Sequence, residues 1–170
     1  MGSWQVWLNL ALNTLAMASL LAMLTIGLTL IFGIMRIMNF AHGALYMFGA
    51  YAGISAAHFF ENFWVGLVAA PLVAGLIGSV FELSLLRRLY KRDPSSFLLI
   101  AFGWALALSE LTRLIWGSNT RDVQLPEFLT GVLWVADEPC PMYRAFLIVF
   151  GAVALLSLAF IILRSRLGLL

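Results

Sequence analysis

The sequence predicts an all-α, polytopic transmembrane helical bundle of about five spans, and three observations carry that prediction. Apolar residues make up 63% of the 170 residues and charged residues 11%, with a mean hydropathy of +1.00. A soluble domain holds roughly 45–50% apolar and about 25% charged residues, and folding buries too little surface to hide such an excess. The apolar residues also fall into runs of the length a helix needs to cross the hydrocarbon core of a bilayer, about 20 residues. Finally, most of the few charges gather in the breaks between those runs.

The first run covers 10–35. It is free of charge, and its Asn13, Thr14, Ser19, Thr25 and Thr29 can bond within a helix. Trp4 and Trp7 precede it, where interfacial aromatic residues belong. The first basic residue is Arg36, so the run lacks the charged flank of a cleavable signal and reads as a signal-anchor span. After a break at 36–43, the second span is expected at 44–60 and the third at 63–86, the latter opening near Trp64. A basic loop at 87–96 leads to a fourth span at 97–116. The segment 117–142 carries Asp122, Glu127, Asp137, Glu138 and the prolines 126, 139 and 141, and reads as a loop. The fifth span is expected at 143–163. Residues 1–170 read as a single transmembrane region.

Charge sets the orientation. If the 87–96 loop is cytoplasmic, alternation places Arg36, Arg87, Arg88, Lys91, Arg92, Arg164 and Arg166 inside, seven of the ten basic residues. The positive-inside rule therefore predicts an external N-terminus, a cytoplasmic C-terminal end and an external acidic 117–142 segment. Small residues recur within the spans, and Gly49 and Gly53 form a GxxxG pair, the spacing that lets membrane helices approach closely.

Composition excludes several classes. The net charge of +2 comes with no basic run, so no nucleic-acid partner is expected. Cys140 is the single cysteine and reads as an ordinary loop residue, which excludes an internal disulfide and a CxxC metal site. No HExxH, GxSxG or phosphate-binding Gly-rich loop is present, and His42 and His58 are expected at opposite surfaces. The chain therefore reads as neither an enzyme nor a binder of metal or cofactor, and ATP has no site here.

Two polar features interrupt the apolar pattern. Asn39, His42 and Gly43 break the sequence between the first two spans. As N-cap, Asn39 can accept from the backbone N–H of His42, and Gly43 permits a close backbone approach. The segment is either a capped turn at the cytoplasmic interface or a discontinuous helix whose N-terminus lines a substrate pathway. Glu110 and Arg113, three apart in the fourth span, can pair along one helix face. They read either as a structural ion pair near the outer interface or as a polar contact on a pathway. Glu82 is expected to pair with the basic cluster that follows it.

The stretch from Gly27 to Tyr51, with Asn39-Phe-Ala-His-Gly43 and Tyr46-Met-Phe-Gly-Ala-Tyr51 at its centre, resembles the permease subunits of branched-chain amino acid ABC importers, the Liv type. Glu82 with Leu86-Arg-Arg-Leu-Tyr-Lys-Arg-Asp-Pro94 is similar to the family's first cytoplasmic loop. Phe102-Gly103 and Glu110-Leu-Thr-Arg-Leu-Ile-Trp-Gly117 are similar to its fourth span, and Arg164-Ser-Arg-Leu-Gly168 to the entry of its coupling region. Phe40 and Ala44 lean toward the amino acid branch rather than the urea and short-amide branch, which carries Met and Glu there. The resemblance implies a pore subunit in a bacterial inner membrane that translocates branched-chain amino acids. Its implied partners are an external (periplasmic) substrate-binding protein, ATP-binding cassette subunits and a second permease. It also implies that the chain is the N-terminal portion of a longer permease, stopping before the coupling region. The alternatives are transport of urea or short amides, and a structural membrane protein or remnant that transports nothing.

Overall fold

The computed structural model describes residues 3–35, 39–87, 94–123, 125–135 and 138–164. The described residues form five long helices: α1 (Ser3–Met35), α2 (Ala41–Phe59), α3 (Phe63–Phe81), α4 (Pro94–Trp116) and, after a one-turn α5 (Glu127–Thr130) and two short strands, α6 (Met142–Arg164). The fold is thus all-α apart from one antiparallel hairpin, β1 (Val132–Val135) with β2 (Glu138–Pro141), in which Leu133 faces Cys140.

Four of the long helices are long and apolar enough to cross a membrane: Trp4–Gly33, Phe63–Leu86, Ser96–Trp116 and Met142–Phe160. The protein is a multi-pass membrane protein. The second helix is the exception. It spans 19 residues but includes His42, Tyr46, Tyr51, Ser55 and His58 among several glycines and alanines, which dilutes its hydropathy.

Several expected boundaries move. Helix α1 starts at Ser3 rather than near residue 10, so Trp4 and Trp7 lie within it; no Gly or Pro stops the helix between Ser3 and Ile26. At 1.5 Å per residue its 33 residues extend roughly 50 Å, more than the ~30 Å hydrocarbon core. Helix α2 begins three residues early. The third run keeps its expected span but changes character, because Glu82–Leu86 is a π-helical segment continuing α3. The expected loop at 117–142 contains α5 and the hairpin, where Val132-Leu-Trp-Val135 supplies strand-forming side chains. Cys140 is buried there rather than sitting in an open loop. Within the helices, Ser19, Thr25 and Thr29 donate to carbonyls one turn back, as expected.

The contacts group the chain into two compact units: Met1–Met35 with Leu125–Leu170, and Arg36–Gln124. In the first, α1 packs on α6, and a Cβ at Gly151 would stand 2.8 Å from Ser19 Cβ. In the second, α2 is central, packed against both α3 and α4. Asn62 caps α3, its Oδ1 accepting from Trp64 N–H at 2.9 Å.

The α2–α3 contact is a backbone-to-backbone seam. A Cβ at Gly53 would lie 2.7 Å from Ala70 Cβ and 2.8 Å from the Gly66 carbonyl oxygen. One at Gly49 would lie 2.9 Å from the Ala70 carbonyl oxygen. The Gly49/Gly53 pair does what its spacing predicts, and Gly66 is its partner across the seam. Leu45 reaches Gly78, so the two helices run antiparallel. On its other side α2 runs parallel to α4. Ala41 shares a buried cluster with Phe97 and Ala101, Ala44 and Phe48 share one with Leu108, and Ser55 meets Trp116.

Candidate functional site

The parallel course of α2 and α4 sorts the polar residues of the second unit to two ends. At one end lie Asn39, His42 and Gly43, with the π segment and the start of α4. At the other lie Ser55, His58, Glu110, Arg113 and Trp116. The two expected groups, Asn39–Gly43 and Glu110/Arg113, are therefore not brought together.

At the first end, Asn39 holds the turn into α2 with both of its oxygens. Its side-chain Oδ1 accepts from Ala41 N–H at 3.0 Å, and its backbone carbonyl accepts from His42 N–H at 3.2 Å. The expected side-chain bond to His42 is thus shifted by one residue. Phe40 is already helical (φ −64, ψ −19), so the turn closes early and presents Ala41 to the carboxamide. His42 is half-buried and Gly43 is exposed. Among the described residues none makes the close approach expected at Gly43: nothing lies within 4 Å of a Cβ placed there. Arg36 and most of the basic loop, including Arg88, Lys91 and Arg92, lie outside the described residues, as does the Ser165–Gly168 part of the coupling-region resemblance.

Beneath this end is an aromatic cluster. Trp104 stacks on Phe81, with centroids 4.7 Å apart and planes within 7°. Ala41, Phe81, Leu86, Phe97 and Ala101 form the buried core around it. The Trp104 indole N–H is buried without an acceptor among the described residues. Such an orphan donor costs about 1–3 kcal/mol.

The second end is tied together by residues that the sequence reading did not connect. Trp116 Nε1 donates to Ser55 Oγ at 2.6 Å, and Ser55 Oγ donates to the Tyr51 carbonyl at 3.0 Å. The Trp116 ring meets Phe48 edge-on at 5.1 Å and Tyr51 at 5.7 Å. Beyond it, Arg121 Nη2 donates to the Trp116 carbonyl at 3.3 Å, and His58 Nε2 lies 3.1 Å from the Asp122 carbonyl. This polar and aromatic lacing fastens the segment after α4 onto the end of α2. His42 and His58 stand sixteen residues apart on one helix, about 24 Å.

Glu110 and Arg113 form the expected pair, Arg113 Nη1 donating to Glu110 Oε1 at 2.8 Å. Both side chains are about two-thirds exposed, at 64% and 66%. They lie on the α4 face opposite Leu108 and Thr112, which are buried.

Against known proteins, the family described as the permease component of branched-chain amino acid transport systems matches residues 10–170. The chain is 33% identical over 171 residues to the high-affinity branched-chain amino acid transport system permease protein LivH of Escherichia coli K12, covering 92% of this chain and 54% of that protein. It is 30% identical to LivH of Salmonella typhimurium over the same shares. To the permease protein BraD of Pseudomonas aeruginosa it is 28% identical over 178 residues, covering 95% of this chain and 57% of that protein. It spans about half the length of these curated relatives. No solved structure gives a significant match. With a family match running from the first apolar helix to the last residue, this multi-pass helical chain belongs to the family of permease components of branched-chain amino acid transport systems.

Proposed function

We propose that the chain contributes the pore-forming part of an ATP-driven importer for branched-chain amino acids in a bacterial inner membrane. The family match over residues 10–170 carries this reading. An external binding protein would deliver the substrate, ATP-binding cassette subunits would drive alternating access, and a second permease would complete the pore. The chain has no catalytic role in this scheme. Its N-terminus lies outside and its C-terminal end in the cytoplasm.

Within this scheme Asn39, His42 and Gly43 shape the pathway or its hinge. The supporting observation is the position of α2. It is less apolar than the four candidate spans, is packed on two sides by α3 and α4, and starts in a turn held by Asn39. Membrane helices keep polar groups toward protein or water-filled cavities, since exposure to hydrocarbon is costly. Glu110 and Arg113 serve as a structural pair near the outer interface, where Arg113 can extend its head toward water.

The test is uptake of labelled leucine by an intact relative carrying Ala at the positions equivalent to Asn39 and His42. Uptake is expected to fall about tenfold at unchanged membrane abundance. Unchanged uptake would sink the pathway role of these residues.

A further inference from the structure

The hairpin that precedes α6 presents an apolar sheet face at a depth that the helix itself fixes. Successive strand side chains point to opposite faces of a sheet. Cys140, buried, marks one face of β2. On the other face lie Val132 and Trp134 of β1, opposite Pro141 and Pro139 of β2. None of these four carries charge. Trp134 is 70% exposed, Val132 50%, and Pro139 is exposed as well. β2 also contacts α1 and α6, which holds the buried side of the hairpin to the helices. Depth follows from the register. Met142 opens the span Met142–Phe160, and its N–H donates to the Gly131 carbonyl at 2.9 Å. The hairpin therefore starts beside the first residue of a membrane span. Trp134 is three residues beyond Gly131, so even an upright hairpin lifts its backbone only about 10 Å above the start of the span. The headgroup layer of a bilayer is about 5–8 Å thick on each side, within reach of an indole ring at that height.

The edge of β2 suits the same medium. Gly131 and Met142 form a hydrogen-bonded pair, and bonded and non-bonded pairs alternate along an antiparallel ladder. Val132 with Pro141 and Trp134 with Pro139 are therefore non-bonded pairs, whose backbone groups point to the outer edges. Prolines at these two positions leave the outer edge of β2 no N–H to satisfy. That edge can enter a medium poor in water without an unpaired donor, and it cannot donate to an added strand. We infer that the Val132–Trp134 face of the hairpin lies in the lipid headgroup layer on the side of the bilayer where α6 begins, with Trp134 as its anchor. An indole favours that layer because its ring meets the upper acyl chains while its N–H meets headgroup oxygens and water. Seated there, the hairpin acts as a stop that sets how deep α6 sits. The inference needs only that α6 spans the membrane, and is independent of the importer reading.

Fluorescence quenching tests this in the 170-residue chain in lipid nanodiscs, with Cys140→Ala as background and bimane on one introduced cysteine. Trp134→Cys and Pro139→Cys report on the face, Asn119→Cys after α4 on water, and Val153→Cys within α6 on hydrocarbon. The quenchers are iodide in the buffer and lipids carrying a nitroxide either near the headgroup or near the chain end. At the two hairpin positions the headgroup nitroxide is expected to quench about threefold more than the chain-end nitroxide, and iodide about threefold less than at Asn119→Cys. A probe-free measurement guards against a hairpin loosened by the label or by Cys140→Ala. The difference in emission between the unmodified chain and Trp134→Phe isolates the Trp134 ring, and it should show the same order of quenching. Iodide quenching equal to that at Asn119→Cys overturns the inference in favour of a face open to water. Protection from every quencher overturns it in favour of a protein cover, and a pattern equal to that of Val153→Cys overturns it in favour of burial in hydrocarbon.

Discussion

The two ends of α2 are built on different principles. At the Ser55–His58 end the helix is fastened from outside itself: Trp116, Arg121 and Asp122, all distant in sequence, hold it or the segment laid across it. At the Asn39–Gly43 end the helix is capped by its own preceding residue, and among the described residues nothing comes within 4 Å of a Cβ position at Gly43. The middle is clamped to α3 by backbone contact at Gly49, Gly53 and Gly66. One helix is thus held by partners distant in sequence at its far end, by backbone contact in its middle, and by its own cap together with the apolar packing of Ala41 at its near end.

The glycines offer the largest test of this contrast. Gly53→Leu places a side chain against the Gly66 carbonyl and Ala70, where backbone rather than a movable side chain blocks it. The expected loss is about 3 kcal/mol, read as a lowered midpoint of thermal unfolding in detergent. Gly43→Ala, ten residues earlier on the same helix, should be neutral or stabilise by up to about 1 kcal/mol through helix propensity. Equal losses at both positions would erase the distinction between the ends.

Next comes the lacing. Trp116→Ala removes a hydrogen bond and two ring contacts and should cost about 2 kcal/mol, whereas Trp116→Phe keeps the ring contacts and should cost about half as much. Hydrogen exchange should rise in the segment 117–123 with either variant. At the opposite end, Asn39→Ala removes the side-chain bond to Ala41 and should cost about 1 kcal/mol, with increased exchange confined to the first turn of α2. Smallest of all is Glu110→Gln. The pair is exposed, so unfolding should shift by less than about 0.5 kcal/mol. A larger loss would mark that face of α4 as covered in the membrane.

What could be read in advance followed physical reach along the chain. The apolar run at 63–86 announces its helix because its length and content settle the matter locally. Gly49 and Gly53 announce a close-packed face by spacing, but not that Gly66 faces them, because partner choice is a tertiary fact. Asn39 was legible as a cap, but its donor was misplaced by one residue, because helical dihedrals at Phe40 cannot be read from a Phe. Gly43 looked like a packing glycine, and in sequence a glycine with a neighbour is identical to one without. The bonds from Trp116 to Ser55 and from His58 to the Asp122 carbonyl join residues 61 and 64 apart, beyond any local pattern. A Trp at a helix end and a small hydroxyl residue in the least apolar helix were the available signal. The hairpin was missed because its four-residue strands are too short for alternation to show.

The π segment at the end of α3 has a consequence for what the chain tolerates. Phe81 and Leu86 are five residues apart, and on an α-helix that spacing points side chains about 140° away from each other. Both nevertheless enter the same buried cluster beneath α2, because the wider turn returns to the same side after five residues instead of four. Removing one residue from 83–85 would turn the wide turn into an ordinary one, with the two side chains four apart and still on one side. A single deletion, ruinous in most helices because it rotates everything downstream, is absorbed here. The segment is a place where the gene can lose a codon while the helix keeps its grip.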